Sequence, residues 1–341
     1  MEPDSTTYDA STKSEVSEPN LPFNISTSNY QLYKDLISSN NDQRLECQLV
    51  EKLQELALLP STMNCLSNKP ECNVVCRPAR VVDRVQWVCE SCGKRQPIRT
   101  GTFFLRLQCS LLQAMQIIYA WSEDADLEIA AEHFGVKSKV ATIIYDRLDE
   151  LAIKRQHKRK LGGENSVVLA EMYPDCVNRL SPDTTDQPHA HRILMLADTN
   201  HIPTSYWLHV IRDDNKKMIG TDNQALKSEI EEVIQNAVLK GSLLVLGNNV
   251  PLIDGATPIQ QLFQHCDVDM QHFLNSRMWR QGVSLCCAAR SLCGAALSSA
   301  ACGAALQRYL SSALYRLTHH HDLYAHVLRA LAANFTHNTH S

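Results

Sequence analysis

Hydrophobic positions along the chain fall into successive blocks with different periods. The first 30 residues have no apolar periodicity and are rich in Ser, Thr, Asn and acids, so 1–30 is expected to be a disordered tail. Leu32, Leu36, Leu45, Leu49, Leu53 and Leu56 then recur at roughly helical spacing and predict a helical lead-in over 31–64. A cysteine-rich segment, 65–109, interrupts the pattern. Helical spacing returns over 110–160. Leu111, Leu112, Met115, Ile118 and Tyr119 mark one amphipathic helix and Leu127–Phe134 a second. Val140, Ile143, Ile144, Leu148 and Leu151 give a third helix its buried face.

Past Gly162-Gly163 the period changes. Val167–Ala170, Ile193–Ala197, Tyr206–Ile211 and Leu243–Leu246 are apolar runs of strand length. Between the last two, Leu226, Ile230, Val233, Ile234 and Val238 share one helical face. Three strands, a helix and another strand predict a mixed α/β layer within 161–335. Leu306, Tyr309, Leu310 and Leu314, then Leu323, Val327 and Leu331, predict a helical end to that unit, with 336–341 as a tail. The expected class is α+β and multidomain, consistent with 341 residues at roughly 150 per domain.

Charge changes the picture. A net charge of −4 argues against a nucleic-acid partner until it is divided along the chain. Residues 1–30 hold five acids against Lys13 alone, whereas 65–160 holds sixteen Lys or Arg against eleven acids. The middle of the chain is basic. The sequence carries no apolar signal segment, and its longest small-apolar stretch, Ser291–Leu306, is too short to cross a bilayer. An intracellular protein with reduced thiols and no membrane partner is expected.

Thirteen cysteines then point to a metal rather than a disulfide framework. Cys89-Glu-Ser-Cys92 is a chelating pair, with Cys65, Cys72 and Cys76 upstream. Two thiolate pairs about 16–20 residues apart suit tetrahedral zinc. Cys65, Cys72, Cys89 and Cys92 are the favoured ligands of a structural zinc, with Cys76 as alternate; the competing reading is a set of buried free thiols. With a β-like Val81–Val88 leading into the second turn, this describes a zinc ribbon, one that also carries Arg77, Arg80, Arg84, Lys94, Arg95, Arg99 and Arg106.

In 110–160, Gly135 suits a left-handed cap on the second helix and Ser138 an N-cap on the third. Two short helices around such a turn form the helix-turn-helix pattern, whose second helix enters the major groove by its N-terminal end. Lys137, Lys139, Thr142 and Tyr145 are expected to face outward there. Lys154, Arg155, Lys158, Arg159 and Lys160, with Arg95 and Arg99, complete the candidate contacts to double-stranded DNA.

These residues occur in a recognisable order. Leu58-Leu59-Pro60-Ser61, Cys65 and Trp87-Val88-Cys89 are followed by Pro97-Ile98-Arg99-Thr100-Gly101-Thr102-Phe103-Phe104. Ile118-Tyr119-Ala120-Trp121, Ala131-Glu132-His133-Phe134-Gly135-Val136 and Leu161-Gly162-Gly163 come next. Over about 45–335 the chain resembles the Merlin superfamily of cut-and-paste transposases and its bacterial insertion-sequence relatives. The resemblance implies a ribonuclease-H-like domain after the Gly-Gly break, in which three acids hold two Mg²⁺ ions. Those positions are occupied here by Glu171, Gly247 and Ser276. A Gly or Ser cannot replace a carboxylate, so neither Mg²⁺ nor transposase activity is expected. The resemblance implies a domesticated transposon product: a nuclear pseudoenzyme that binds DNA in chromatin or gene regulation, with self-association and regulatory protein partners.

Two rival readings remain. In the first, Asp198, Asp254, Asp267 or Asp269 substitutes in an active nuclease, although Asp is routine in loops and caps. Alternatively the Ala-, Cys- and Ser-rich stretch Ser284–Leu306 serves a protein-interaction module that no longer binds DNA. Small residues at helical spacing are equally at home in a packed core helix. His319-His320-His321 with His326 reads as a surface run before it reads as a metal site.

Overall fold

The computed structural model describes residues 21–38, 45–67, 69–173, 191–200, 204–212, 223–290 and 299–338. Among them it is α+β, with a mixed sheet and a helical C-terminus. Residues 1–20, 291–298 and 339–341, where parts of the expected tails and of the Ala-rich stretch fall, lie outside this description. No helix among the described residues is long and apolar enough to cross a membrane.

The helical lead-in is two helices, α1 (Thr27–Ile37) and α2 (Leu45–Glu55). Helix therefore begins inside the segment expected to be disordered. The missed signal is aromatic: Tyr33 stacks on Tyr119 at 4.3 Å, and Phe23 meets Tyr119 at 6.1 Å. Leu36, Leu49 and Leu53 are buried, whereas Leu56 ends up exposed past the helix end. A three-stranded antiparallel sheet follows, β1 (Val74–Pro78), β2 (Val85–Cys89) and β3 (Arg95–Pro97). Val85, Trp87 and Cys89 point inward at period two, which is why β2 forms. Val81 and Val82, expected in this strand, are exposed in the turn before it, where Arg84 takes φ +60°.

Helices α3 (Leu111–Ser122), α4 (Leu127–His133) and α5 (Ser138–Lys158) come next. Ser110 and Gln113 form a reciprocal capping box on α3, and Asp126 caps α4 through the amides of Glu128 and Ile129. Gly135 has φ +61° at the end of α4, as expected of its cap position. Ser138 is the first helical residue rather than the cap; its hydroxyl donates to Glu128 at 2.6 Å and ties α5 to the start of α4. Gln113 donates to the carbonyls of Phe134 and Gly135, holding the turn against α3.

Strands β4 (Val167–Tyr173), β5 (Ile193–Asp198) and β6 (Ser205–Val210) form an antiparallel meander. Helix α6 (Asn223–Ala237) then leads to β7 (Leu243–Leu246), which runs parallel to β4, and β8 (Thr257–Pro258) extends the sheet. The order is β6-β5-β4-β7-β8, so the first strand is central. Gly162 is needed for close approach: a Cβ there would lie 2.2 Å from Ser242 Oγ. On one face Val168, Ala170, Leu194 and Leu196 pack against Ile230 and Val233 of α6. The other face, with Leu169, Tyr173 and Met195, is covered by the segments after α7 (Ile259–Phe263). These are α8 (Val268–Asn275), a 3₁₀ turn at Arg277–Trp279, α9 (Arg280–Arg290) and α10 (Ser299–His319). In the Ala-rich stretch, Cys286, Ala289, Cys302 and Leu306 are buried, the core-helix alternative, while Ser284 and Cys287 stay exposed.

The C-terminal helices do not belong to the sheet alone. Tyr315 of α10, and Tyr324, Val327, Leu328 and Leu331 of α11 (Leu323–Asn338), are buried in the same cluster as α1–α5. Asp149 of α5 accepts from Trp121 Nε1 at 3.0 Å and from Ser312 of α10 at 2.6 Å. The expected boundary at 160 is therefore bridged by the part-buried Asp149–Ser312 hydrogen bond and by a hydrophobic cluster shared across it. Linear pattern reading misses this because α10 and α11 lie over 140 residues beyond the helices they cover. At the open sheet edge, Gln307 accepts from the Val210 amide and donates to the Leu208 carbonyl, so its side chain occupies part of the β6 ladder.

Candidate functional site

The four favoured cysteines come together. The sulfurs of Cys65, Cys72, Cys89 and Cys92 all lie within 4.8 Å of one another, an arrangement that can hold a metal ion such as zinc. Cys89 ends β2 and Cys92 sits in the turn to β3, where Gly93 takes φ +69° and its amide donates to the Cys89 carbonyl. The upstream loop is pinned by Gln96, which donates to the Asn64 carbonyl, and by the Glu90 amide on the Asn73 carbonyl. The Ser67 hydroxyl, then the Lys94 amide, pull the Cys92 thiol down to about 6. Burial, then the Cys65 and Cys89 sulfurs, push the Cys72 thiol up to about 12. Cys72 is the thiol of the four that resists deprotonation, and a divalent cation would stabilise its thiolate. Cys76, the alternate, lies outside the cluster; it is exposed on β1, paired with Trp87. Cys302 is disulfide-bonded, contrary to the expectation of reduced thiols throughout.

The candidate DNA contacts divide by environment. Arg95, Lys137, Lys139, Thr142, Lys154, Lys158 and Lys160 are exposed. Arg99 is not. It is buried, with Nε donating to Asp83 at 2.8 Å and its other nitrogens to the Leu107 and Cys109 carbonyls. Its guanidinium fastens the Thr102–Cys109 loop to the turn before β2, so it is removed from the contact set. Arg99→Gln is expected to cost about 3 kcal/mol, because Asp83, whose side chain is only 10% exposed, would lose its ion-pair partner. A urea midpoint unchanged from wild type would refute that role. Tyr145 is also turned inward, its hydroxyl donating to the Ala125 carbonyl. Arg159 bridges to Thr318 and Ser205, and Arg155 reaches the Ala330 carbonyl. A charge run in sequence does not reveal which guanidiniums serve as tertiary ties.

Position 171 and position 247 touch. Glu171 lies mid-strand on central β4, 1% exposed, and Gly247 follows the adjacent parallel β7, its amide donating to the Ala170 carbonyl. A Cβ on Gly247 would lie 2.4 Å from Glu171 Oε2, so the Glu171 carboxylate occupies the space a larger residue at 247 would need. Ser276 caps the end of α8, its hydroxyl donating to the His272 carbonyl at 3.0 Å. The neighbouring Trp279 packs with Leu169 and Tyr173, on the Glu171 face of the sheet.

The substitute acids are placed differently. Asp198 pairs with Val168 and so projects from the face opposite Glu171. It is consumed by the Gly162 amide at 2.7 Å and the Asn200 amide at 2.9 Å. Asp254 is exposed beside Lys227, and Asp267 caps α8 through the Met270 amide. His319 and His326 stack ring on ring at 3.6 Å, and no metal-binding group among the described residues includes them. No family model, no curated protein and no solved structure matches the chain.

Proposed function

We propose that this chain is a transposase-derived, double-stranded-DNA-binding protein of the nucleus that has lost transposase chemistry and keeps a structural zinc. The observation that carries the reading is the contact of Glu171 with Gly247. The resemblance implies that these two positions, 76 residues apart, share a metal site, and they are neighbours on adjacent strands. The meander with a central first strand, followed across a helix by a parallel strand, supports a ribonuclease-H-like layer. Only one of the pair carries a carboxylate, and it is buried. A two-metal site needs oxygen ligands from several residues, which supports the pseudoenzyme reading.

DNA binding is supported by the exposed start of α5. Lys137, Lys139 and Thr142 are exposed at the tight α4–α5 turn, where a helix-turn-helix would present them to a groove. Lys158 lies 19 residues beyond Lys139, about 29 Å along the helix at 1.5 Å per residue. The two ends of α5 therefore do different work. Lys139→Gln is expected to change sequence preference by about 1–3 kcal/mol at one base pair. Neutralising Lys158 and Lys160 weakens all duplexes alike. Anisotropy titrations of the full chain against a duplex library, across a salt series, measure both. Retention of the same preference by Lys139→Gln, or Mg²⁺- or Mn²⁺-dependent strand cleavage by the wild-type chain, would overturn the proposal. Chromatin or regulatory partners and self-association follow from the same reading.

A further inference from the structure

A cleft of about 410 Å³ lies between the Gly101–Arg106 loop, the middle of α5 and α11. Three cations line it. Arg147 and Lys154 stand seven residues apart on α5, hence two turns apart on one face, about 10 Å along the axis. Arg106 faces them from the loop. Its backbone takes φ +65°, a conformation that non-glycine residues seldom adopt, and two turn hydrogen bonds hold it there: Leu105 N to Thr102 O and Leu107 N to Phe104 O.

Two of the cations are uncommitted. Neither Arg106 nor Lys154 has a carboxylate partner among the described residues, although Glu150 also lines the cleft. Arg147 is positioned rather than spent. Its Nη1 donates to the Phe103 carbonyl at 2.7 Å and to the Leu105 carbonyl at 3.4 Å, and its guanidinium lies 5.9 Å from the Phe103 ring centre. The Nη2 and Nε donors have no acceptor among the described residues. Phe103 and Leu331 give the cleft an apolar wall.

We propose that this cleft is a phosphodiester site: Arg106, Arg147 and Lys154 hold one phosphate of a DNA strand, and its sugar lies against Phe103 and Leu331. The geometry suits that ligand better than a free anion. Three cations against one acid leave an excess of positive charge, the preset Arg147 fork matches phosphate oxygens, and the apolar wall needs something more than a bare phosphate. The site rests on the DNA-binding reading above. It adds Arg147, which sequence patterning passed over because it stands alone between Asp146 and Leu148.

The test uses the full chain. Arg106→Gln with Lys154→Gln, at two exposed positions, is expected to weaken duplex binding about tenfold at 0.1 M salt. It should also flatten the slope of log K against log salt by about one, the share of a single phosphate. Lys240→Gln, an exposed charge remote from the cleft lining, is the control and leaves the slope unchanged. Phenylglyoxal labelling of Arg106, read by mass spectrometry with duplex DNA or with inorganic pyrophosphate present, reports occupancy independently. Protection by DNA together with the flattened slope supports the site. DNA binding with an unchanged slope and no protection overturns the site alone. Protection by pyrophosphate in a chain that binds no duplex overturns both readings and assigns the cleft to another phosphorylated ligand, such as a phosphopeptide.

Discussion

Cys89→Ser is expected to release the metal and unfold the Cys65–Lys94 loops while the mixed sheet stays folded. Cys89 is 1% exposed, and its sulfur lies among those of the other three cysteines. Trp87, Val85 and Ile98 anchor the inner side of the small sheet in the helical cluster, whereas none of the described residues of 65–73 belongs to that cluster. Leu66 is exposed, and the side-chain ties of the outer loops among the described residues include Gln96 to Asn64, Asn73 and Arg77 to Glu90, and Ser91 to Glu71, with Arg99 to Asp83 at the far turn. Four-thiolate zinc contributes apparent binding energies on the order of 10–16 kcal/mol in small domains, far more than those ties supply. Elemental analysis should find one zinc per wild-type chain and none in Cys89→Ser, with amide protection lost over 65–94 and kept over β4–β7. Cys76→Ser is expected to retain its zinc, since Cys76 lies outside the cluster. Zinc-free wild-type protein with the same amide protection would discard the metal.

Most of what the chain's pattern made legible was local. The four strand runs of the mixed sheet, the α6 face and the α4–Gly135–α5 turn sit within a few residues of their expected places, because period and turn chemistry specify them directly. The cysteine quartet was legible for the same reason: chelation imposes a spacing. What was not legible depended on contacts distant in sequence. Nothing near Arg99 marks it as buried; Asp83 and the carbonyls of Leu107 and Cys109 do that, and only folding brings all three to one guanidinium. Strand β1 was passed over because Val74–Pro78 shows no inward alternation and ends in Pro. That α10 and α11 serve both cores, and not the 161–335 unit alone, was not legible either, since a helix with apolar residues on several sides does not say which partner each side meets.

Gly247→Asp alone is expected to destabilise the chain by roughly 3–5 kcal/mol, more than any surface substitution would. Its Cβ would lie 2.4 Å from Glu171 Oε2 and 2.6 Å from Cδ, so Glu171 must move within a packed sheet. A second carboxylate beside a buried one also meets a like charge, and the pair can ionise fully only with a cation present. Glu171→Asp retracts the first carboxylate by one methylene and vacates that space. The double variant Glu171→Asp, Gly247→Asp is therefore expected to be more stable than Gly247→Asp, which makes the two changes strongly non-additive. Its thermal midpoint is also expected to rise with millimolar Mn²⁺ or Mg²⁺, whereas the wild-type midpoint does not. No strand transfer is expected from any of the four chains, because Ser276 supplies no third carboxylate and its hydroxyl is bonded to the His272 carbonyl. Calorimetry of the four chains, with and without divalent cation, measures this directly. Additive destabilisation, or no cation response in the double variant, would mean that Glu171 and Gly247 are not the remains of one metal site.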